Sequence, residues 1–139
     1  MRRRLTLVAG LAVGVIAAAL GTAGCVSFDH LEVCEVTNTE GATVSETQIR
    51  LRKGTAVALK GIPFDTDHSV MDDDTRVFME SGDEAVLGLA PLDYDGDECG
   101  EPEDAHWYYL LWGQEVGTTT LTVYGAGELA LEIPVQVTE

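Results

Sequence analysis

Positive charge is scarce in this sequence. Of its 139 residues only eight are Lys or Arg, against 24 Asp or Glu, and three of the eight are Arg2, Arg3 and Arg4. The rest of the chain therefore carries five basic and 24 acidic residues, a formal charge of −19. Such a field repels nucleic acid and anionic lipid head groups, so no nucleic-acid partner is expected. It attracts divalent cations and basic protein surfaces, and it also keeps a protein soluble.

The motifs that carry catalysis are also missing. There is no Cys-x-x-Cys pair, no His-x-x-x-His pair and no nucleophile elbow. The short Gly125-Ala126-Gly127 run lacks the strand, loop and helix context of a phosphate-binding loop. His30 and His106 are isolated, and His68 lies in a polar segment, 65–74, that is typical of a surface loop. We therefore predict that the protein is not an enzyme.

The N-terminal segment has the composition of an export signal. Three arginines precede an apolar, charge-free stretch, residues 5–23, and small residues precede Cys25. The run Leu20-Gly21-Thr22-Ala23-Gly24-Cys25 resembles the lipobox of bacterial lipoproteins. The resemblance implies that residues 1–24 are removed and that the thiol of Cys25 carries a diacylglycerol anchor with fatty acids such as palmitate. A plain cleaved signal peptide and an uncleaved anchor are the alternatives, since a membrane span needs about 20 residues.

The resemblance also predicts where the protein is located. Removal of 24 residues leaves 115, enough for one domain, held at the extracytoplasmic face of the cell membrane. We expect residues 25–43 to form the acylated cysteine and an N-terminal arm or first strand. We expect residues 44–139 to form the folded domain. Export by either the general or the twin-arginine route is compatible with the arginine run.

Two cysteines remain once Cys25 is set aside. Because an exported protein is in an oxidising compartment, Cys34 and Cys99 are predicted to form a disulfide. A loop of this length gives a stabilisation of roughly 4 kcal/mol in the loop-entropy treatment. A thiolate metal pair or a redox couple would have closer spacing.

Period-two alternation of apolar and polar residues recurs along the chain and is typical of half-buried β-strands. Strand-like segments occur at 31–36, 47–51, 55–59, 86–89, 107–112, 117–124 and 129–137. Residues 72–79 fit either a helical turn or a strand. We expect Lys53-Gly54 to form a hairpin or a sheet-switching corner, and Pro63 and Pro91 to end strands. This spacing predicts an all-β, immunoglobulin-like sandwich, with a small β-barrel as the alternative.

The aromatic run from Trp107 to Trp112 is predicted to be a strand with Trp107, Tyr109 and Leu111 on one face. One face must fill the core. The other is either buried as well or exposed as a surface that binds peptide or glycan.

An acidic segment offers oxygen ligands at the offsets of an EF-hand calcium loop. The candidate ligands are Asp93, Asp95, Asp97, Glu101 and Asp104. Glu98 stands where that loop requires glycine, and no flanking helices are predicted. A solvated acidic loop held by the disulfide is the alternative to a Ca²⁺ site.

Part of the chain is similar to chagasin-like inhibitors of papain-type cysteine proteases. The similarity rests on Ile49-Arg50-Leu51-Arg52-Lys53-Gly54, on a following loop with Pro63, and on the segments 107–112 and 117–124. It implies an immunoglobulin-like fold and loops that enter a protease cleft, with Pro63, Phe64 and Tyr124 as binding residues. The leading hypothesis is nevertheless a lipid-anchored binding or envelope-structural module whose partner is an extracytoplasmic protein or envelope component. Protease inhibition and calcium binding are the alternatives.

Overall fold

The fold of residues 27–71, 75–93, 99 and 107–139 is described by a computed structural model. These residues form nine β-strands in two sheets, which confirms the predicted immunoglobulin-like β-sandwich. The strands are β1 (Phe28–Glu35), β2 (Ala42–Ser45), β3 (Gln48–Arg52), β4 (Ala56–Asp65), β5 (Val77–Ser81), β6 (Leu87–Leu92), β7 (Tyr108–Gly113), β8 (Gly117–Gly125) and β9 (Glu128–Thr138).

The two sheets differ in size and in strand direction. The four-stranded sheet has the order β1-β4-β7-β6 and is antiparallel throughout. The five-stranded sheet has the order β2-β3-β9-β8-β5, and its β3–β9 pair is parallel. At one side of the sandwich the edge strands are therefore β5 and β6, and at the other they are β1 and β2.

The core lies between the sheets and is built from the alternating apolar residues. Ile133, Val135 and Val137 are each at most 2% exposed, whereas the intervening Pro134 and Gln136 face solvent. From the opposite sheet, Leu59 and Leu111 are fully buried. Each such side chain contributes about 1.5–3 kcal/mol through removal of apolar surface from water, so the period-two pattern positions both inner faces.

The segment between β3 and β4 is a sheet-switching corner and not a hairpin. Gly54 has a φ of 81°, which a glycine adopts without strain. Its N–H donates to the carbonyl of Gly113 at 2.8 Å, and the N–H of Lys53 donates to the carbonyl of Thr138 at 2.7 Å. These bonds attach the corner to both sheets.

The prediction that Pro63 ends a strand is wrong, because β4 continues to Asp65. Pro63 pairs with Leu31 of β1, and its carbonyl accepts from the N–H of Met71 at 2.9 Å. In a strand the nitrogen and carbonyl of one residue point to the same side, so the Pro63 nitrogen faces away from β1. The ladder between β4 and β7 has ended by then, and no ladder donor is required there.

Two further boundaries differ from the sequence-based expectation. Strand β6 continues through Pro91, which is tolerated because β6 is an edge strand. Strand β1 is part of the four-stranded sheet and pairs with β4 from Phe28 to Glu35. Of the two expectations for this segment, an N-terminal arm or a first strand, the described structure has the strand, and it belongs to the sandwich.

Candidate binding surface

Three large side chains form a row on the outer face of the five-stranded sheet. Phe78 of β5 is paired with Tyr124 of β8, and Tyr124 is paired with Leu129 of β9. Phe78 is 52% exposed and Leu129 is 56% exposed. The Phe78 and Tyr124 ring centroids lie 6.3 Å apart in a tilted arrangement, within the usual range for aromatic pairs. We call these three residues the exposed row.

A β-bulge places Leu129 in this row. Val123 pairs with Leu131 whereas Tyr124 pairs with Leu129, so Ala130 is an extra residue on β9. Strict alternation would have put Leu129 on the same inner face as Ile133, as the sequence pattern predicts. The extra residue reverses the side on which Leu129 emerges. The prediction that all five apolar residues of 129–137 share one face is therefore wrong at Leu129.

An open groove of about 670 Å³ lies beside Phe78 and Tyr124 of the exposed row. Its lining residues are Thr75, Arg76, Phe78, Glu80, Tyr124, Ala126 and Gly127. The β8–β9 turn forms one end, where Ala126 and Gly127 both have positive φ, 52° and 82°. Two such residues form the tight turn that matches the twist of a hairpin. The N–H of Ala126 donates to the Arg76 carbonyl at 3.0 Å, which holds the turn against the start of β5.

Two carboxylates lie near Tyr124 of the exposed row. The pKa of Tyr124 is raised above its usual value by desolvation and by the nearby carboxylates of Glu80 and Glu132. Arg76 is the one basic side chain among the residues that line the groove. The groove therefore combines apolar side chains with one carboxylate and one guanidinium, and a second carboxylate, that of Glu132, lies near Tyr124.

A second groove, of about 490 Å³, follows the open side of the sandwich between β5 and β6. Phe78 lines both grooves, and the second also includes Leu89, Pro91 and Tyr109. Within the described residues β5 pairs only with β8, and at its other edge the Tyr109 hydroxyl donates to the Val77 carbonyl at 3.2 Å. The backbone of β5 beside Phe78 is therefore already bonded, and the second groove offers side-chain contacts.

On the outer face of the four-stranded sheet, a cross-strand row of side chains is buried. Cys34, Lys60 and Tyr108 are paired across β1, β4 and β7. Lys60 is 1% exposed and Tyr108 2% exposed, and the Lys60 Nζ lies 5.5 Å from the centroid of the Tyr108 ring. The predicted disulfide is present and brings Cys99 to Cys34, with 6.2 Å between their Cα atoms. We call Cys34, Lys60 and Tyr108 the covered row.

The aromatic run is buried on both sides at its centre. Tyr109 and Leu111, on one face, belong to the core, and Tyr108 is buried on the outer face. Trp112 is half-buried on that face and lies across Gly88 of the neighbouring β6. The aromatic strand is therefore not an open surface for peptide or glycan.

The binding residues suggested by the inhibitor resemblance do not form one surface. Pro63 is buried in β4, and Phe64 is half-buried with its ring stacked on His30. Both belong to the four-stranded sheet, whereas Tyr124 is in the five-stranded sheet. Tyr124 thus lies in the candidate site with two residues that the sequence reasoning missed, Phe78 and Leu129.

Other predicted sites lie mainly outside the described residues. This holds for Cys25 and the signal segment 1–24. It also holds for four of the five candidate calcium ligands: Asp95, Asp97, Glu101 and Asp104. The fifth, Asp93, is exposed just after β6. None of the described segments is a helix with the length and hydropathy of a membrane span.

The fold is similar to those of solved S-layer proteins. Domains 4 and 5 of the S-layer protein SbsC superimpose with a TM-score of 0.53 and 17% identity, covering 76% of this chain and 54% of that chain. For domains 5–6 the values are 0.54, 16%, 81% and 45%. A longer SbsC crystal structure gives 0.56, 15%, 81% and 13%. This chain spans about half of those chains or less, and the likeness is one of fold. No protein-family model and no curated protein sequence matches the chain.

Proposed function

We propose that this protein is a non-catalytic, lipid-anchored module on the extracytoplasmic face of the cell membrane. In this proposal it binds another envelope protein through the exposed row. The observation that carries the binding role is the placement of Phe78, Tyr124 and Leu129 side by side on the outer face, with Phe78 and Tyr124 lining an open groove. Contiguous exposed apolar side chains with a polar border are typical of interaction sites.

The location rests on two supports. The lipobox-like sequence before Cys25 favours acylation and export. The fold is similar to that of domains from an S-layer protein, which favours a place in an extracytoplasmic assembly. A single acyl chain binds membranes only weakly, so the several chains implied by the lipoprotein resemblance would supply the anchoring.

The carboxylates near Tyr124 and the net charge of the chain favour a basic partner. Glu80 and Glu132 act on Tyr124, and the chain after residue 24 has a formal charge of −19. A complementary partner is a protein segment with basic residues flanking an apolar anchor that packs against Phe78. Phe78 lines both grooves, so such a segment can pack its apolar side chain against Phe78 and extend into either groove.

Acylation is tested by replacing the modified thiol. In cells making the full chain, the Cys25→Ser variant should leave the membrane fraction and lose the lipid mass from its N-terminus. Mass spectrometry of the wild-type protein should find the acyl groups on Cys25. Equal membrane retention of both proteins, without acyl mass, would contradict the anchor.

Binding is tested with soluble protein that begins at Ser27, since every strand and the disulfide lie after that residue. Sedimentation with isolated cell envelopes should retain the wild-type protein at low salt and release it as salt rises, because exposed charges are screened. The Phe78→Glu/Leu129→Glu variant should lose this retention. Val116→Glu is the matched control, because Val116 is 49% exposed in the β7–β8 turn, away from the exposed row. Equal retention of all three proteins would reject the exposed row.

The two alternatives have less support from the described residues. Inhibition of a papain-type protease by a loop at Pro63 requires an exposed loop, whereas Pro63 is a buried strand residue. Calcium binding in the acidic segment stays a prediction. If this segment binds calcium, the melting temperature of the protein should rise on adding Ca²⁺ and fall again on chelation, because a ligand that binds only the folded state stabilises that state.

A further inference from the structure

Two histidines that are far apart in the sequence meet at the end of the sandwich where β1 begins. His30 lies in β1, and His68 lies in the segment after β4. Their ring centroids are 6.2 Å apart. Asp29 completes the group: each of the three residues offers one ligand atom, and these atoms all lie within 4.8 Å of one another.

A bulge in β1 brings Asp29 and His30 to one side. In a regular strand, adjacent side chains point to opposite faces. Here Phe28 pairs with Asp65 and His30 pairs with Phe64, so Asp29 is an extra residue. The Asp29 Oδ2 and His30 Nδ1 atoms are consequently only 2.8 Å apart.

Both imidazole rings have local support. The His30 ring stacks on Phe64, with centroids 4.9 Å apart and planes within 6°. His68 has a φ of 61°, which is unfavourable for a residue with a side chain. The turn is held by Asp65, whose Oδ1 accepts from the N–H groups of Asp67 and Ser69 at 2.8 and 2.9 Å. The Asp65 carbonyl also accepts from the N–H of His68 at 3.0 Å.

We propose that Asp29, His30 and His68 bind a zinc ion. Two imidazoles and one carboxylate are ligands that Zn²⁺ accepts, and the three groups leave a fourth coordination position open. Tetrahedral ligands about 2 Å from zinc are separated by about 3.3 Å, so small side-chain rotations from the present arrangement suffice. The carboxylate of Glu32 lies 3.8 Å from the His30 Nε2, the ring nitrogen that does not face Asp29, where it can accept from that N–H and orient the ligand.

The identity of the metal follows from the ligand types. Imidazole nitrogen suits zinc and its transition-metal neighbours, whereas calcium and magnesium prefer all-oxygen sites. The strongly acidic surface raises the local concentration of any divalent cation, but only the histidines discriminate among cations. The site is independent of the exposed row, since none of its three residues lines the grooves described above.

The test is a titration of untagged protein, beginning at Ser27, with ZnCl₂ in a calorimeter. We expect one ion per chain, a higher melting temperature with zinc, and no displacement by an excess of Ca²⁺. NMR spectra should show the imidazole signals of His30 and His68 shifting together until one equivalent has been added. The His68→Asn variant keeps a residue type that tolerates positive φ and should weaken binding more than about tenfold, since even partners of metal ligands contribute 10- to 100-fold.

Three further variants make the test specific. His30→Gln and Asp29→Asn should each weaken zinc binding while leaving the circular dichroism spectrum unchanged. His106→Ala, which alters the remaining histidine of the sequence, should bind zinc as the wild type does. Unchanged affinity in His68→Asn and His30→Gln, or displacement of zinc by Ca²⁺, would overturn the proposal and assign the binding to acidic groups elsewhere. Loss of binding in His106→Ala alone would also overturn it.

Discussion

Large side chains are buried on one outer face of the sandwich and exposed on the other. On the four-stranded sheet, the covered row has Lys60 and Tyr108 almost fully buried next to the Cys34–Cys99 disulfide. On the five-stranded sheet, the exposed row leaves more than half of Phe78 and of Leu129 in solvent. Both rows are cross-strand arrangements, yet the buried one contains a lysine and the exposed one two aromatic residues and a leucine, so hydrophobicity alone does not account for the difference.

The contrast separates stability from binding. A side chain buried on folding contributes through removal of apolar surface from water, whereas one that stays in solvent contributes little. The covered row should therefore respond to substitution with a loss of folding free energy. The exposed row should respond with a loss of binding and almost none of stability.

The largest expected effect is removal of the disulfide next to the covered row. The Cys34→Ser/Cys99→Ser variant releases a constraint across 65 residues of sequence. The loop-entropy relation gives a loss of about 4 kcal/mol, measurable as a lower urea midpoint for unfolding. A reducing agent should destabilise the wild-type protein and leave the variant unchanged. An unchanged midpoint would mean that the covered row does not depend on the covalent link.

The next effect tests the packing beside the covered row. A Cβ at Gly88 would collide with the indole of Trp112, so Gly88→Ala should cost about 1–3 kcal/mol in urea unfolding. In the Trp112→Ala background the same substitution should cost much less, because the colliding ring is gone. A cost that is equal in both backgrounds would contradict the close packing of strand β6 on Trp112.

The sequence predicts the sandwich well because the alternation of apolar and polar residues identifies the side chains that face the core. Ile133, Val135 and Val137 are identified as core residues by their spacing alone. The same alternation misplaces Leu129, since a one-residue bulge at Ala130 depends on how the turn and β5 fit together. Pro63 is misread for a related reason: whether a strand tolerates proline depends on which neighbour it lacks.

The candidate sites are harder to predict than the core because they combine distant segments. Phe78 is recognisable in retrospect, since it lies between the inward-facing Val77 and Met79. The juxtaposition of His30 and His68 has no local signal, because it arises from the pairing of β1 with β4 and the return of the chain after β4. The disulfide was predictable because only two cysteines remain after Cys25.

A smaller effect is expected from removal of the buried Tyr109 hydroxyl. The Tyr109 hydroxyl donates to the Val77 carbonyl at 3.2 Å, and burial raises the pKa of Tyr109 above its usual value. Tyr109→Phe leaves that carbonyl without this bond and should cost about 1 kcal/mol at neutral pH.

The same raised pKa gives a pH dependence. Unfolded tyrosine loses its proton near pH 10, whereas folded Tyr109 retains it to higher pH. Its stabilising contribution is therefore fully present below about pH 10 and is lost as the pH rises through the folded value. Urea midpoints measured from pH 8 to 11 should fall less steeply in Tyr109→Phe than in the wild type. Parallel pH profiles would contradict this role for Tyr109.

The smallest expected effect concerns the exposed row itself. Phe78→Ala and Leu129→Ala should each change the free energy of unfolding by less than about 0.5 kcal/mol, the usual range for surface substitutions. Tyr108→Ala in the covered row should cost several times more under the same conditions, because it removes a buried ring. If Phe78→Ala is as destabilising as Tyr108→Ala, then Phe78 supports the fold and the exposed row is not a surface reserved for a partner. If Phe78→Ala leaves the free energy of unfolding unchanged but abolishes retention on isolated envelopes, the two faces differ in role as well as in exposure.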